Sequence, residues 1–66
     1  MTELEVKKLQ TYLCDKFGNQ DFRLVERVRA KDSLEVYLGE EFIGTIYRDD
    51  DDDDVSYDFN MAILEL

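Results

Sequence analysis

The sequence predicts an α+β domain in which one N-terminal helix packs on a four-stranded antiparallel β-meander, in the order α-β-β-β-β. Three observations lead there. Apolar residues recur at helical spacing only near the N-terminus, the period changes to two from Phe22 onward, and the alternating runs are separated by turn chemistry. The chain has 66 residues, enough for one domain over residues 1–66 and close to the lower limit for a single apolar core.

The helix is expected over about residues 2–17. Thr2-Glu3-Leu4-Glu5 has the form of a capping box, in which the threonine hydroxyl accepts from a backbone amide and the glutamate three residues on reaches back. Val6, Leu9, Leu13 and Phe17 follow at intervals of three, four and four, marking one face. Gly18 stands where a left-handed C-terminal cap is needed, with Lys16 near the negative end of the helix dipole.

Four strands are expected, at about residues 22–29, 33–38, 42–48 and 56–64. In the first, Phe22, Leu24 and Val28 share one face with arginines on the other, and Lys31-Asp32-Ser33 supplies the turn to the second. Leu34, Val36 and Leu38 alternate with Glu35 and Tyr37, and Gly39-Glu40-Glu41 makes the next hairpin. Asp49 to Asp54 form an acidic loop before the last strand, whose inward face is Tyr57, Phe59, Met61 and Ile63. Two registers compete for the third strand. A three-residue hairpin places Leu38 opposite Phe42 and turns Phe42 and Ile46 inward. A two-residue hairpin places Val36 opposite Ile43 and turns Ile43, Thr45 and Tyr47 inward. The first is preferred because it buries the phenylalanine and lets Gly44 lie beneath the helix.

One helix covers one face of a sheet. In the preferred register the other face carries Val25, Tyr37, Ile43, Tyr47, Ala62 and Leu64 among Arg23, Arg27 and Arg29, an apolar and aromatic patch with a basic edge. Such a patch suits a protein partner or a second copy, and association is one remedy for a small core. Arg23, Val25, Arg27, Tyr37, Ile43 and Tyr47 are accordingly the candidate partner-binding residues.

The charge is unevenly spread. Seventeen acidic and eight basic residues give −9; without the six loop aspartates, eleven against eight leave −3. A field concentrated in this way repels nucleic acid and anionic membranes, so neither is an expected partner. The chain has no long apolar run and no secretory signal pattern, and its single cysteine, Cys14, allows no internal disulfide. A cytoplasmic setting is the expectation.

Catalytic residue patterns are lacking. There is no histidine, Cys14 falls mid-helix without an imidazole to activate it, and Ser33 and Ser56 have no base in view. The three glycines do not form a phosphate loop. No enzyme and no cofactor are expected. Asp49, Asp50, Asp51, Asp52, Asp53 and Asp54 are the candidate metal ligands. Counted from Asp49, however, the positions that an EF-hand fills with glycine and glutamate are Asp54 and Asn60. The bland reading, a hydrated loop held open by its own repulsion, fits that spacing better than a built site.

The segments KKLQTYLCDKFGN, LEVYLGEEFIGTIYRDD and SYDFNMAILEL, in that order, resemble a family of short alphaproteobacterial proteins of unknown function. The resemblance covers nearly the whole chain and implies a shared fold in a bacterial cytoplasm. It implies no activity, cofactor or catalytic residue. The family's loop is acidic but mixed, and the uninterrupted aspartate run departs from that. Function is therefore expected to be non-catalytic binding of a protein or a second copy through the open sheet face. The alternative is binding of a divalent cation or a basic partner through the loop from Asp49 to Asp54.

Overall fold

The computed structural model describes residues 1–51 and 54–63. It consists of one helix, α1 (Glu3–Phe17), followed by strands β1 (Phe22–Arg27), β2 (Ala30–Leu38), β3 (Glu41–Asp49) and β4 (Ser56–Met61). The strands form one antiparallel sheet in sequence order, β1-β2-β3-β4, so β1 and β4 are its two edges.

The helix begins and ends as its sequence dictates. Thr2 accepts from the amide of Glu5 at 3.2 Å, and the Glu5 carboxylate accepts from the amide of Thr2 at 3.0 Å, closing the capping box. Gly18 takes φ 63°, a left-handed cap that costs little without a Cβ. Gln10 then donates its side-chain amide to the carbonyl of Phe22 at 3.0 Å, and Phe17 stacks at 5.4 Å on Phe22. Both ties draw the helix toward the β1 side of the sheet.

Leu13, Phe22, Leu34, Val36, Ile43 and Ile46, together with Cys14, form the buried core, and Leu34 and Val36 have no exposed surface at all. Burying a side chain of that size contributes about 1.5–3 kcal/mol, so a handful of them must hold the domain together.

Several expectations are corrected. The turn between β1 and β2 is Val28-Arg29, with Arg27 opposite Ala30, and residues 31–33 belong to β2. Val28, expected in the core, is 96% exposed because the strand has already ended. Gly39 and Glu40 form a two-residue turn between Leu38 and Glu41, with Gly39 at φ 63°. The preferred three-residue hairpin is therefore wrong at the turn. Yet Val36 lies opposite Gly44 and Leu34 opposite Ile46, the pairing that this register required. A bulge reconciles the two: the register shifts by one between Val36 and Tyr37, and Ile43 is the extra residue. Phe42 consequently pairs with Tyr37 on the outer face, and Ile43 enters the core at 7% exposure. Gly44 is buried against β4 rather than beneath the helix: a Cβ there would meet the carbonyl of Asn60 and lie 2.9 Å from the Phe59 ring. Strand β4 ends at Met61. Met61 and Ile63, expected inward, are 62% and 71% exposed because the helix does not reach over them.

Candidate functional site

The outer sheet face is set by alternation. Since Leu34 and Val36 point to the helix, Glu35 and Tyr37 point away from it, and the pairing aligns their neighbours in rows. One row is Arg23, Tyr37 and Phe42; the next is Val25, Glu35, Thr45 and Asn60; a third joins Ser33, Tyr47 and Asp58. The guanidinium carbon of Arg23 lies 4.9 Å from the centroid of the Tyr37 ring, within cation–π range. Tyr37 meets Phe42 edge to face at 5.7 Å. Tyr47 stands exposed two positions along β3 from Thr45, whose hydroxyl, followed by the Arg27 guanidinium, holds the phenol below its ordinary pKa. Arg23, Val25, Arg27, Tyr37 and Tyr47 are thus gathered on this face. Ile43 is not among them: the bulge removes it to the core, and Phe42 stands on the face instead.

On the opposite face, the tilt of α1 toward β1 leaves a groove of about 420 Å³ between the helix and β4. Leu9, Leu13, Ile46 and Phe59 line it, and Tyr12 stands at its rim. Glu5 closes one end. Its Oε2 accepts from the Tyr57 hydroxyl at 2.6 Å and from Nε of Arg48 at 2.9 Å, while Nη1 of Arg48 reaches Asp50 at 2.8 Å. The Tyr57 hydrogen bond, followed by that of the Thr2 amide, lowers the Glu5 pKa to about 2. The same bond, with burial, raises that of Tyr57. Burial pulls the Arg48 guanidinium down, but the carboxylates of Glu5 and Asp50 outweigh it and leave its pKa above the ordinary value. One guanidinium is thus shared by two carboxylates, and each charged group of the network has a partner within the chain.

The acidic loop is partly committed as well. Asp50 is the partner of Arg48, and the side chain of Asp49 accepts from the amide of Asp51 at 3.1 Å in a local turn. Asp52 and Asp53 lie outside the described residues, as does Leu64 of the expected outer face. Among the described residues, no three acidic or cysteine side chains converge as a cation would require. Cys14 is a free, buried thiol on the inward side of the helix.

Phe42 and the Glu5–Arg48–Tyr57 network were not apparent in the sequence. Glu5 is marked there only by its capping pattern, and its partners are 43 and 52 residues away. The pairing of Tyr57 with Phe59 on one strand face is the sole local hint of the groove floor.

A family model described as a protein of unknown function (DUF3126) matches residues 5–66. No curated protein and no solved structure matches the chain. Among the described residues, no helix is long and apolar enough to cross a membrane.

Proposed function

The chain belongs to that family of unknown function, and from this premise we propose that it is a non-catalytic protein-binding module whose docking surface is the outer face of its sheet. The observation that carries the reading is the preassembled row Arg23–Tyr37–Phe42, with the guanidinium over one ring and the second ring edge-on to it. Arginine and tyrosine dominate binding energy at interfaces because they combine apolar area with directional polar groups. Held by their neighbours on a rigid sheet, they lose little further freedom on docking. Arg23 and Arg27 flank the half-buried ring of Tyr37 and the exposed ring of Tyr47, so the face suits a partner that presents carboxylates beside an apolar side chain. The groove is a poorer candidate, because Glu5 and Tyr57 at its polar end are already bonded to each other and Lys8 is its remaining charged lining group. A chain without histidine, whose cysteine is buried, favours binding over catalysis, and a bacterial cytoplasmic setting belongs to the same reading.

The test is affinity capture from a bacterial lysate with wild-type protein and with the Tyr37→Lys and Tyr47→Lys variants, checked for folding by circular dichroism. Loss of the same captured protein with both folded variants supports the reading. Capture that survives both substitutions sinks it.

A further inference from the structure

The two edges of the sheet differ in charge, and they are placed so that one copy can extend the sheet of the next. Strands β1 and β4 run in opposite directions, since each pair in the series is antiparallel. The turn that ends β1 and the start of β4 lie at the same end of the molecule, the end of the helix N-terminus. There the Met1 amine bonds the carbonyl of Lys31, and Glu5 bonds both Arg48 and Tyr57. A second copy displaced sideways by one sheet width therefore brings its β1 antiparallel to the first copy's β4, with both helices on the same side.

The row that crosses the sheet from Val25 through Glu35 and Thr45 ends at Asn60. Continued into the next copy, it sets Asn60 beside that copy's Val25. Two residues along, Asp58 then faces Arg27. On the helix side the row from Leu24 through Val36 and Gly44 ends at Met61, so Met61, 62% exposed, gains the next copy's Leu24. Beyond the strands, Asp54 stands on the side of Arg29, in the exposed turn after that copy's β1. Pairing two like edges gives no such match: two β4 strands offer no cation to Asp58, and two β1 strands offer no acidic side chain on the face of Arg23 and Arg27.

We propose that the chain associates with further copies of itself head to tail, β4 of one copy pairing with β1 of the next and Asp58 matched to Arg27. This contact is heterologous, so it builds a ring or an open chain rather than a two-fold dimer. It pairs the strand edges and leaves Tyr37, Phe42 and Tyr47 uncovered, sharing Val25 and Arg27 with the outer face, and the Tyr37→Lys variant tells it apart from the docking reading.

Sedimentation velocity of the full chain over a concentration series, in low salt and in about 0.5 M salt, tests it, because exposed charge pairs are screened at the higher ionic strength. The expected result is a weight-average sedimentation coefficient that climbs past that of a dimer in low salt and falls back in high salt. Asp58→Arg and Arg27→Asp should each return the protein to monomer. An equimolar mixture of the two, and the double variant, should associate again. Arg29→Glu, in an exposed turn, weakens the same contact and serves if an edge variant fails to fold, while Tyr37→Lys should leave association unchanged. A wild-type monomer at every low-salt concentration, a fixed dimer indifferent to Asp58→Arg or Arg29→Glu, or a folded double variant that stays monomeric would overturn the proposal.

Discussion

The hydroxyl of Tyr57 donates to the carboxylate of Glu5 at 2.6 Å, fastening the start of β4 to the first turn of the helix. The bond shifts the two groups in opposite directions, holding Glu5 down at about pH 2 and pushing the Tyr57 phenol up. For Glu5 the folded pKa lies below the unfolded one, so the unfolded state binds the proton more readily between pH 4.5 and about 2. Its contribution to stability is complete above pH 4.5 and is lost as pH falls toward 2. Urea titrations from pH 6 to pH 2.5 should show stability declining in that window, with a shallower decline for Glu5→Gln. In Tyr57→Phe, the Glu5 carboxyl, followed by NMR, should titrate closer to the ordinary glutamate value. An unchanged Glu5 titration in that variant would remove Tyr57 as the main cause.

Gly44 owes its identity to the close passage of β4. A methyl group at this position meets the backbone carbonyl of Asn60 and lies 3.0 Å from Cα of Met61, and neither backbone can yield as a flexible side chain would. Overpacking of this kind costs about 1–3 kcal/mol. Gly44→Ala should therefore lower the urea midpoint, and the signals of residues 59 to 61 should move in NMR spectra. The open sites at Gly18 and Gly39 provide the contrast: space is free there, but both glycines have φ 63°, so alanine is strained in the backbone instead.

What was legible in the sequence follows from the range of each signal. The capping box, the 3-4-4 spacing and the glycine cap are all local, and α1 occupies Glu3–Phe17. Strand order was legible because each connection is short. The bulge at Ile43 was not, since alternation is counted from a chosen start and one inserted residue resets the count. Val28 illustrates the same weakness: alternation carried past Arg27 placed in the core a residue that stands in a turn. The tie from Glu5 to Tyr57 lay beyond any local pattern, because it depends on how the helix crosses the finished sheet.

Calcium should find no ordered site in the acidic loop. Asp50 is paired with Arg48 and Asp49 turns back on the amide of Asp51, so at least these two carboxylates have partners within the chain. A calcium titration followed by amide NMR at physiological salt should give small, non-saturating shifts over residues 48–56, the response of diffuse counterions. Saturable shifts at one equivalent would instead require the loop to rearrange into a built site.

The bulge makes the sharpest distinction between neighbouring positions. In an uninterrupted hairpin the registers exchange Phe42 and Ile43 between core and surface. Here Phe42 pairs with Tyr37 on the outer face, while Ile43 is 7% exposed within the core and its carbonyl accepts from the amide of Ala62 at 2.7 Å. Ile43→Lys places a charge among Phe22, Leu38 and Phe59 and should unfold the domain or destabilise it by about 3 kcal/mol or more. Phe42→Lys should keep the fold, losing the edge-to-face contact with Tyr37, worth about 0.5–1.5 kcal/mol, and part of the apolar contact of a half-buried ring. Thermal melts of the two variants decide the register. The reverse order, with Phe42→Lys the more damaging, would restore the three-residue hairpin and return Ile43 to the outer face.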